Sequence, residues 1–221
     1  MNPLKYLVAA LIFGSAFGQD NSDFAKGLGL EIGTGYSEMF WSGETAWGEF
    51  SLTDFSLSPE IRVFYRLNVI NDFFIHAFAG FQQIKGIGVE PVWFYECNQK
   101  YKLDRAFIGS NFLYHFTKIN FYSGIGLKLF RVNSATLESN TNDPSYPLSL
   151  EKQDLKNTYN EFSLDIGIVA NYEVLNFLFS LEGWFAITNL YKIPDYGLLE
   201  IGTRNLTIHE NHFRLLVGHK L

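Results

Sequence analysis

The side chains able to do chemistry in this chain are few. The five histidines are His76, His115, His209, His212 and His219. His209 and His212 stand three apart, on opposite faces of a regular strand, and no spacing matches a zinc site. Ser110 with His115 or His76 supplies the residue types for acyl transfer, but nothing in the spacing brings them together. The phosphate-cradling loop G-x-x-x-x-G-K-[ST] and the dinucleotide fingerprint do not occur. Glu138, Asp143, Glu151 and Asp154 could hold divalent cations, though Lys152 and Lys156 nearly neutralise them. A single cysteine, Cys97, allows no internal disulfide. The more regular signal is a set of charges that alternate with glycine along period-two stretches: Glu31, Glu60, Arg62, Arg66, Arg105, Lys128, Glu161, Asp165, Glu182, Arg214 and Lys220.

Elements that could position such a set follow from composition. Hydrophobic residues make up 47%, which argues against disorder, and the 22 Phe and 12 Tyr favour strands. The net charge of −6 argues against a nucleic-acid binder that relies on a basic surface. Residues 1–18 read as a signal peptide: Lys5, an apolar run from Leu7 to Phe13, then small Ala16 and Gly18 before Gln19. That leaves 19–221 as one domain. It has no stretch of eighteen apolar residues, so no membrane helix is expected.

Period-two alternation marks eight strands, at about 26–36, 57–67, 73–83, 105–116, 121–130, 159–172, 177–188 and 209–221. Strand six is the cleanest. Phe162, Leu164, Ile166, Ile168 and Ala170 share one face, opposite Glu161, Ser163, Asp165, Gly167 and Asn171. Three connections are short, each with an asparagine close to the next aromatic: Asn71, Asn120 and Asn176. Asparagine tolerates the left-handed backbone of tight turns. The other four connections, 37–56, 84–104, 131–158 and 189–208, are long. Short turns at one end and long loops at the other is the plan of a transmembrane β-barrel.

Alternation alone does not say which face looks inward. The charges decide. The apolar face is uncharged across the middle of every strand, while the other alternates glycine with ionisable residues. Glycine weakens an exposed strand, but in a narrow eight-stranded lumen it makes room for long side chains. The inward set holds five acidic and six basic residues, close to the balance that charges enclosed at low dielectric require. The sheet must also close, because lipid tolerates no open edge. Tyr65, Tyr114, Phe116, Phe121, Tyr172 and Phe177 gather near the short turns. Tyr36, Trp41 and Trp93 lie on the loop side, like two interfacial girdles.

From KGLGLEIGTGY at Lys26 to HFRLLVGHKL at His212, the chain resembles the small eight-stranded outer-membrane β-barrel proteins of Gram-negative bacteria, the set that includes the OmpA transmembrane domain and OmpX-like proteins. Such proteins commonly end in an aromatic residue. This chain ends in Leu221, and His219 interrupts the terminal alternation. The resemblance implies an all-β fold, an eight-stranded antiparallel transmembrane β-barrel with short periplasmic turns and four long extracellular loops, in the cell outer membrane. Expected partners are outer-membrane lipid and lipopolysaccharide, the barrel-assembly machinery during insertion, and an extracellular partner met through the loops; no nucleic acid and no cofactor are expected. The lipid A deacylase pattern, His and Ser two apart on a strand and then Asn, is met by none of the five histidines. The expected role is non-enzymatic, structural or surface-interacting, with a closed salt-bridged lumen and no open pore. The alternatives are a barrel enzyme acting on lipid and a secreted lipocalin-like carrier with Phe162, Leu164 and Ile166 pointing inward.

Overall fold

The computed structural model describes residues 27–45, 48–92, 95–141, 153–154, 156–190 and 204–221. The expected signal peptide, Trp93, and residues 142–152 and 191–203 of the expected loops 131–158 and 189–208 lie outside the described residues, and with them Asp143 and Glu151.

The strands are β1 (Leu28–Thr45), β2 (Gly48–Leu57), β3 (Glu60–Ile70), β4 (Phe73–Val92), β5 (Tyr95–Phe116), β6 (Phe121–Thr141), the short β7 (Gln153–Asp154), β8 (Phe162–Val174), β9 (Phe177–Ala186) and β10 (Arg204–Lys220). Antiparallel ladders run from β1 through β2 and β3 to β4, β5, β6, β8, β9 and β10. The β10–β1 ladder, from Gly29↔Lys220 to Glu44↔Arg204, then closes the ring. β2 and β3 form one stave, broken at Ser58 and Pro59. Proline cannot donate to a ladder, but Ser58 still exchanges both backbone hydrogen bonds with Gly35, at 3.2 and 2.9 Å. The result is an eight-staved barrel with β7 added beside β6.

The staves are longer than alternation marks them. Of the expected long loops, 37–56 carries β1 on to Thr45 and β2 from Gly48, and 84–104 is the upper half of the β4–β5 hairpin. β6 continues to Thr141, paired with β5 at Cys97, and β10 begins at Arg204. The reason is physical. Beyond the apolar band neither face meets hydrocarbon, so the hydrophobic period fades although the ladder hydrogen bonds continue. At the other end Asn71 and Asn120 adopt left-handed backbone, with φ of 47° and 51°. In the third turn that conformation falls on Leu175 (φ 56°) and not on Asn176, because the two-residue β8–β9 loop turns at its first central position.

Side chains alternate across the wall, with the phase on β6 changing at the bulge opposite Asp104 and Arg105, where Val132 and Ala135 are both buried. Ile168 is 63% and Leu215 58% exposed on the outside, while Glu31 and Arg214 are fully buried within. Phe73, Tyr114 and Phe116 make an edge-to-face chain on the outer wall near the short turns, at 5.2 and 5.0 Å. Inside, Phe64, Phe78, Phe107, Phe130 and Trp184 pack into one cluster. Two glycines make that possible: a Cβ at Gly126 or Gly167 would lie 2.5 Å from the Trp184 ring.

Candidate functional site: an ion-paired lumen

The inward positions of neighbouring staves place ionisable side chains at three levels. At the short-turn end, the Arg66 guanidinium lies 2.7 Å from the Glu173 carboxylate and 4.4 Å above the Tyr122 ring. Lys220 meets the other oxygen of Glu173.

The middle level centres on Arg62. It donates to Glu31 at 2.5 Å and, through both terminal nitrogens, to Glu182 at 3.0 and 2.6 Å. Such forked contact is the strong form of a carboxylate pair. Ser180 donates to the second Glu31 oxygen at 2.8 Å, and the Trp184 indole N–H donates to Glu182 at 2.8 Å. His76 Nε2 lies 3.5 Å from Glu31. Glu60 meets Arg214 and lies 3.5 Å from both Arg62 and Lys128. The Lys128 ammonium sits 4.3 Å from the Trp184 ring, so aromatic faces and Glu60 share its charge. Arg62, Lys128, Arg214, Glu31 and Glu182 are at most 1% exposed, so the ionised groups at this level are out of contact with bulk water.

The third level lies toward the long-strand end. Arg105 pairs with Glu210 at 2.7 Å and donates to Gln82 at 3.0 Å. His212 stands between acids, with Nδ1 3.0 Å from Glu210 and Nε2 3.5 Å from Asp165. Ser37, its direct cross-strand neighbour, places Oγ 2.7 Å from Nδ1. Serine, histidine and acid thus meet here, on β1, β10 and β8. A hydrolytic relay would have serine and acid on opposite ring nitrogens, which Ser37 and Asp165 satisfy. Glu210 crowds the serine's side, however, and Ser37 is fully buried. The geometry holds a histidine in place; it offers the serine no path to substrate among the described residues.

Ten of the eleven residues singled out in the sequence line this interior: Glu31, Glu60, Arg62, Arg66, Arg105, Lys128, Asp165, Glu182 and Arg214 buried, and Lys220 half-buried at the rim. Glu161 does not. The chain bends there before β8 begins, alternation has not started, and its exposed carboxylate pairs outward with Arg131 at 2.8 Å. Sequence reasoning missed Glu210, Glu173, His76 and His212 as members. Glu210 was legible, since it shares parity with His212 and Arg214. Glu173 was hidden by its assignment to a turn. With Glu173 and Glu210 in and Glu161 out, six carboxylates face six cations among the described residues. Glu138 is exposed on β6 and Asp154 on β7.

Above the apolar band the outer wall turns polar. Asp104 accepts from Gln83 at 2.6 Å and Ser134 at 2.8 Å, with Lys102 3.3 Å away. Partial burial pushes its carboxyl pKa up, but these contacts outweigh that and hold it below the ordinary range. A closed sheet with a greasy exterior, a polar collar and an ion-paired interior is the construction of outer-membrane-type barrels. The chain is an outer-membrane β-barrel. A carrier is excluded by the same directions, since Phe162 and Ile166 face out.

No protein-family model matches this barrel, and no curated protein matches it by sequence. Solved structures similar to it include Neisserial surface protein A, with 13% identity over 88% of this chain and 97% of that one and a TM-score of 0.44. They also include Ail, the attachment invasion locus protein of Yersinia pestis (13%, 86% and 97%, 0.41), and the outer membrane protease OmpT from Escherichia coli (11%, 88% and 96%, 0.48). At such identities and scores these likenesses carry nothing about activity or partners.

Proposed function

We propose that this barrel has a non-enzymatic, structural or surface-interacting role. One observation supports the reading: among the described residues the lumen is occupied at three levels by buried ionisable side chains and aromatic rings. An eight-stranded barrel is narrow enough for side chains alone to fill. What remains available is the outer wall, which meets lipid and lipopolysaccharide, and the long-strand end, where hairpins extend past the apolar band and could meet an extracellular partner. Insertion would pass through the barrel-assembly machinery.

The test reconstitutes the full barrel in planar bilayers and, separately, weighs lipid A from cells expressing it. No conductance steps and an unchanged acyl pattern are expected. Discrete channel openings would overturn the sealed lumen. A second reading, a barrel enzyme acting on lipid, is favoured by the Ser37–His212–Asp165 cluster. It requires a shortened acyl pattern that Ser37→Ala abolishes.

A further inference from the structure

Each short turn puts an aliphatic side chain at its tip. Ile70 is 62%, Ile119 61% and Leu175 86% exposed. The tips lie beyond the aromatics that flank them on the wall: Ile70 comes before Phe73, Ile119 between Phe116 and Phe121, and Leu175 between Tyr172 and Phe177. Turns that face water ordinarily carry polar residues. Turn chemistry does not call for these aliphatics, since Leu175 takes a left-handed backbone that glycine or asparagine adopts more readily. Exposed apolar groups gathered at one end of a molecule mark a contact surface.

The polar groups of the same turns are occupied within the protein. The carbonyls of Asp72, Asn120 and Asn176 accept from the backbone N–H groups of His115, Glu173 and Lys220, at 2.8, 3.2 and 2.9 Å. The Asn68 and Asn120 side-chain amides donate to the carbonyls of Asn71 and Glu173, at 2.8 and 2.7 Å. Backbone that is hydrogen-bonded internally loses little on leaving water, as an apolar medium demands. Of the charges in these turns, Asp72 and Lys118 are of opposite sign, and the long Lys118 stem lets its ammonium stay at head-group level.

Continuity with the wall identifies what covers this rim. On β4 the uncharged outward run from Phe73 to Phe81 ends at polar Gln83, and on β6 the run from Phe121 to Leu129 ends at Arg131. Runs of this length, tilted by about 40°, span roughly 23 Å, slightly less than the apolar band of about 25 Å that such barrels present. The turn tips extend the same greasy surface past its aromatic edge. Resting on the barrel's placement in a membrane, we propose that the short-turn rim is itself immersed. Ile70, Ile119 and Leu175 enter the acyl-chain boundary of the lipid leaflet on that side. The short-turn end then offers no aqueous surface to a partner protein, and contact with other proteins falls to the long-strand end.

The experiment places one nitroxide at a time on the full barrel carrying Cys97→Ser, through Ile70→Cys, Ile119→Cys or Leu175→Cys. Leu215→Cys serves as the wall control and Lys85→Cys as the collar control. In phosphatidylethanolamine–phosphatidylglycerol vesicles, relaxation by oxygen, which concentrates in lipid, is compared with relaxation by a water-soluble nickel chelate. The tip labels are expected to give oxygen-to-nickel ratios close to that of Leu215→Cys and well above that of Lys85→Cys. Tip labels that match Lys85→Cys while Leu215→Cys stays oxygen-rich would overturn the immersion and leave the rim free for a water-borne partner. A Leu215→Cys label as open to nickel as Lys85→Cys would remove the membrane reading itself. The three tip changes are independent and exposed, so heat-modifiable migration verifies each fold, and the loss of one variant leaves two to decide.

Discussion

Replacing Arg62 by methionine keeps most of the side chain's volume and removes its charge. In the barrel this single guanidinium holds Glu31 and both oxygens of Glu182, all fully buried. Removing one partner of a buried pair costs about 3–5 kcal/mol, because the remaining charge is left without compensation. Here two carboxylates are orphaned, which sets the expectation at the top of that range, about 5 kcal/mol. Lys128 offsets part of it, since it already leans on the same aromatic wall. Against a total stability of about 5–15 kcal/mol the loss is large. The assay is urea unfolding in phospholipid vesicles, read by tryptophan emission and by heat-modifiable gel migration. A compensated variant, Arg62→Met with Glu31→Gln and Glu182→Gln, should recover most of the loss, because the neutral amides can still accept from Ser180 and Trp184. A loss below about 1 kcal/mol would refute the charge argument. So would a compensated variant no better than Arg62→Met, which would assign the effect to the packing of Arg62 over Phe78 at 4.5 Å.

Three further outcomes test the wall, the packing and the turn. Ile166→Arg puts a cation on the lipid face and should cost about 2–4 kcal/mol if that position lies near the midplane, measured by the same unfolding series. Gly126→Val forces a side chain into the Trp184 ring, 2.5 Å from where its Cβ would sit; expected are a loss of at least about 1–3 kcal/mol and a shifted tryptophan emission. Unchanged stability would mean that Trp184 is not held in the lumen. Leu175→Gly relieves a left-handed backbone in a residue that is 86% exposed. It should raise stability by about 1 kcal/mol, and a destabilised variant would show that the turn is not strained.

How far the sequence carries is set by where two solvents differ. Between Leu28 and Tyr36, or Phe162 and Tyr172, one face meets hydrocarbon and the other a packed interior, so each residue type reports its face and the strand can be read directly. Ile168 opposite Gly167 and Leu215 beside Arg214 leave one assignment open. Above the band that contrast is lost: Met39 to Ser42 and Glu44 remain paired with both β2 and β10, yet no residue pattern distinguishes them from a loop. Membership of the ion-paired interior follows the same logic at its edges. Glu161 has the right parity but sits before the first ladder pair of β8, so parity has no wall to act on. Glu173 faces Arg66 and Lys220 from the last residues of a strand that the turn residues Leu175 and Asn176 made look shorter. Pairing itself is not legible in parity at all. Glu31 and Arg62 are cross-strand neighbours and Glu182 faces them from across the barrel. Only closure, which the β1–β10 ladder imposes, brings a residue 120 positions along the chain into contact with Arg62. Among the described residues the same closure draws six carboxylates and six cations into one interior, and charges held at low dielectric must pair.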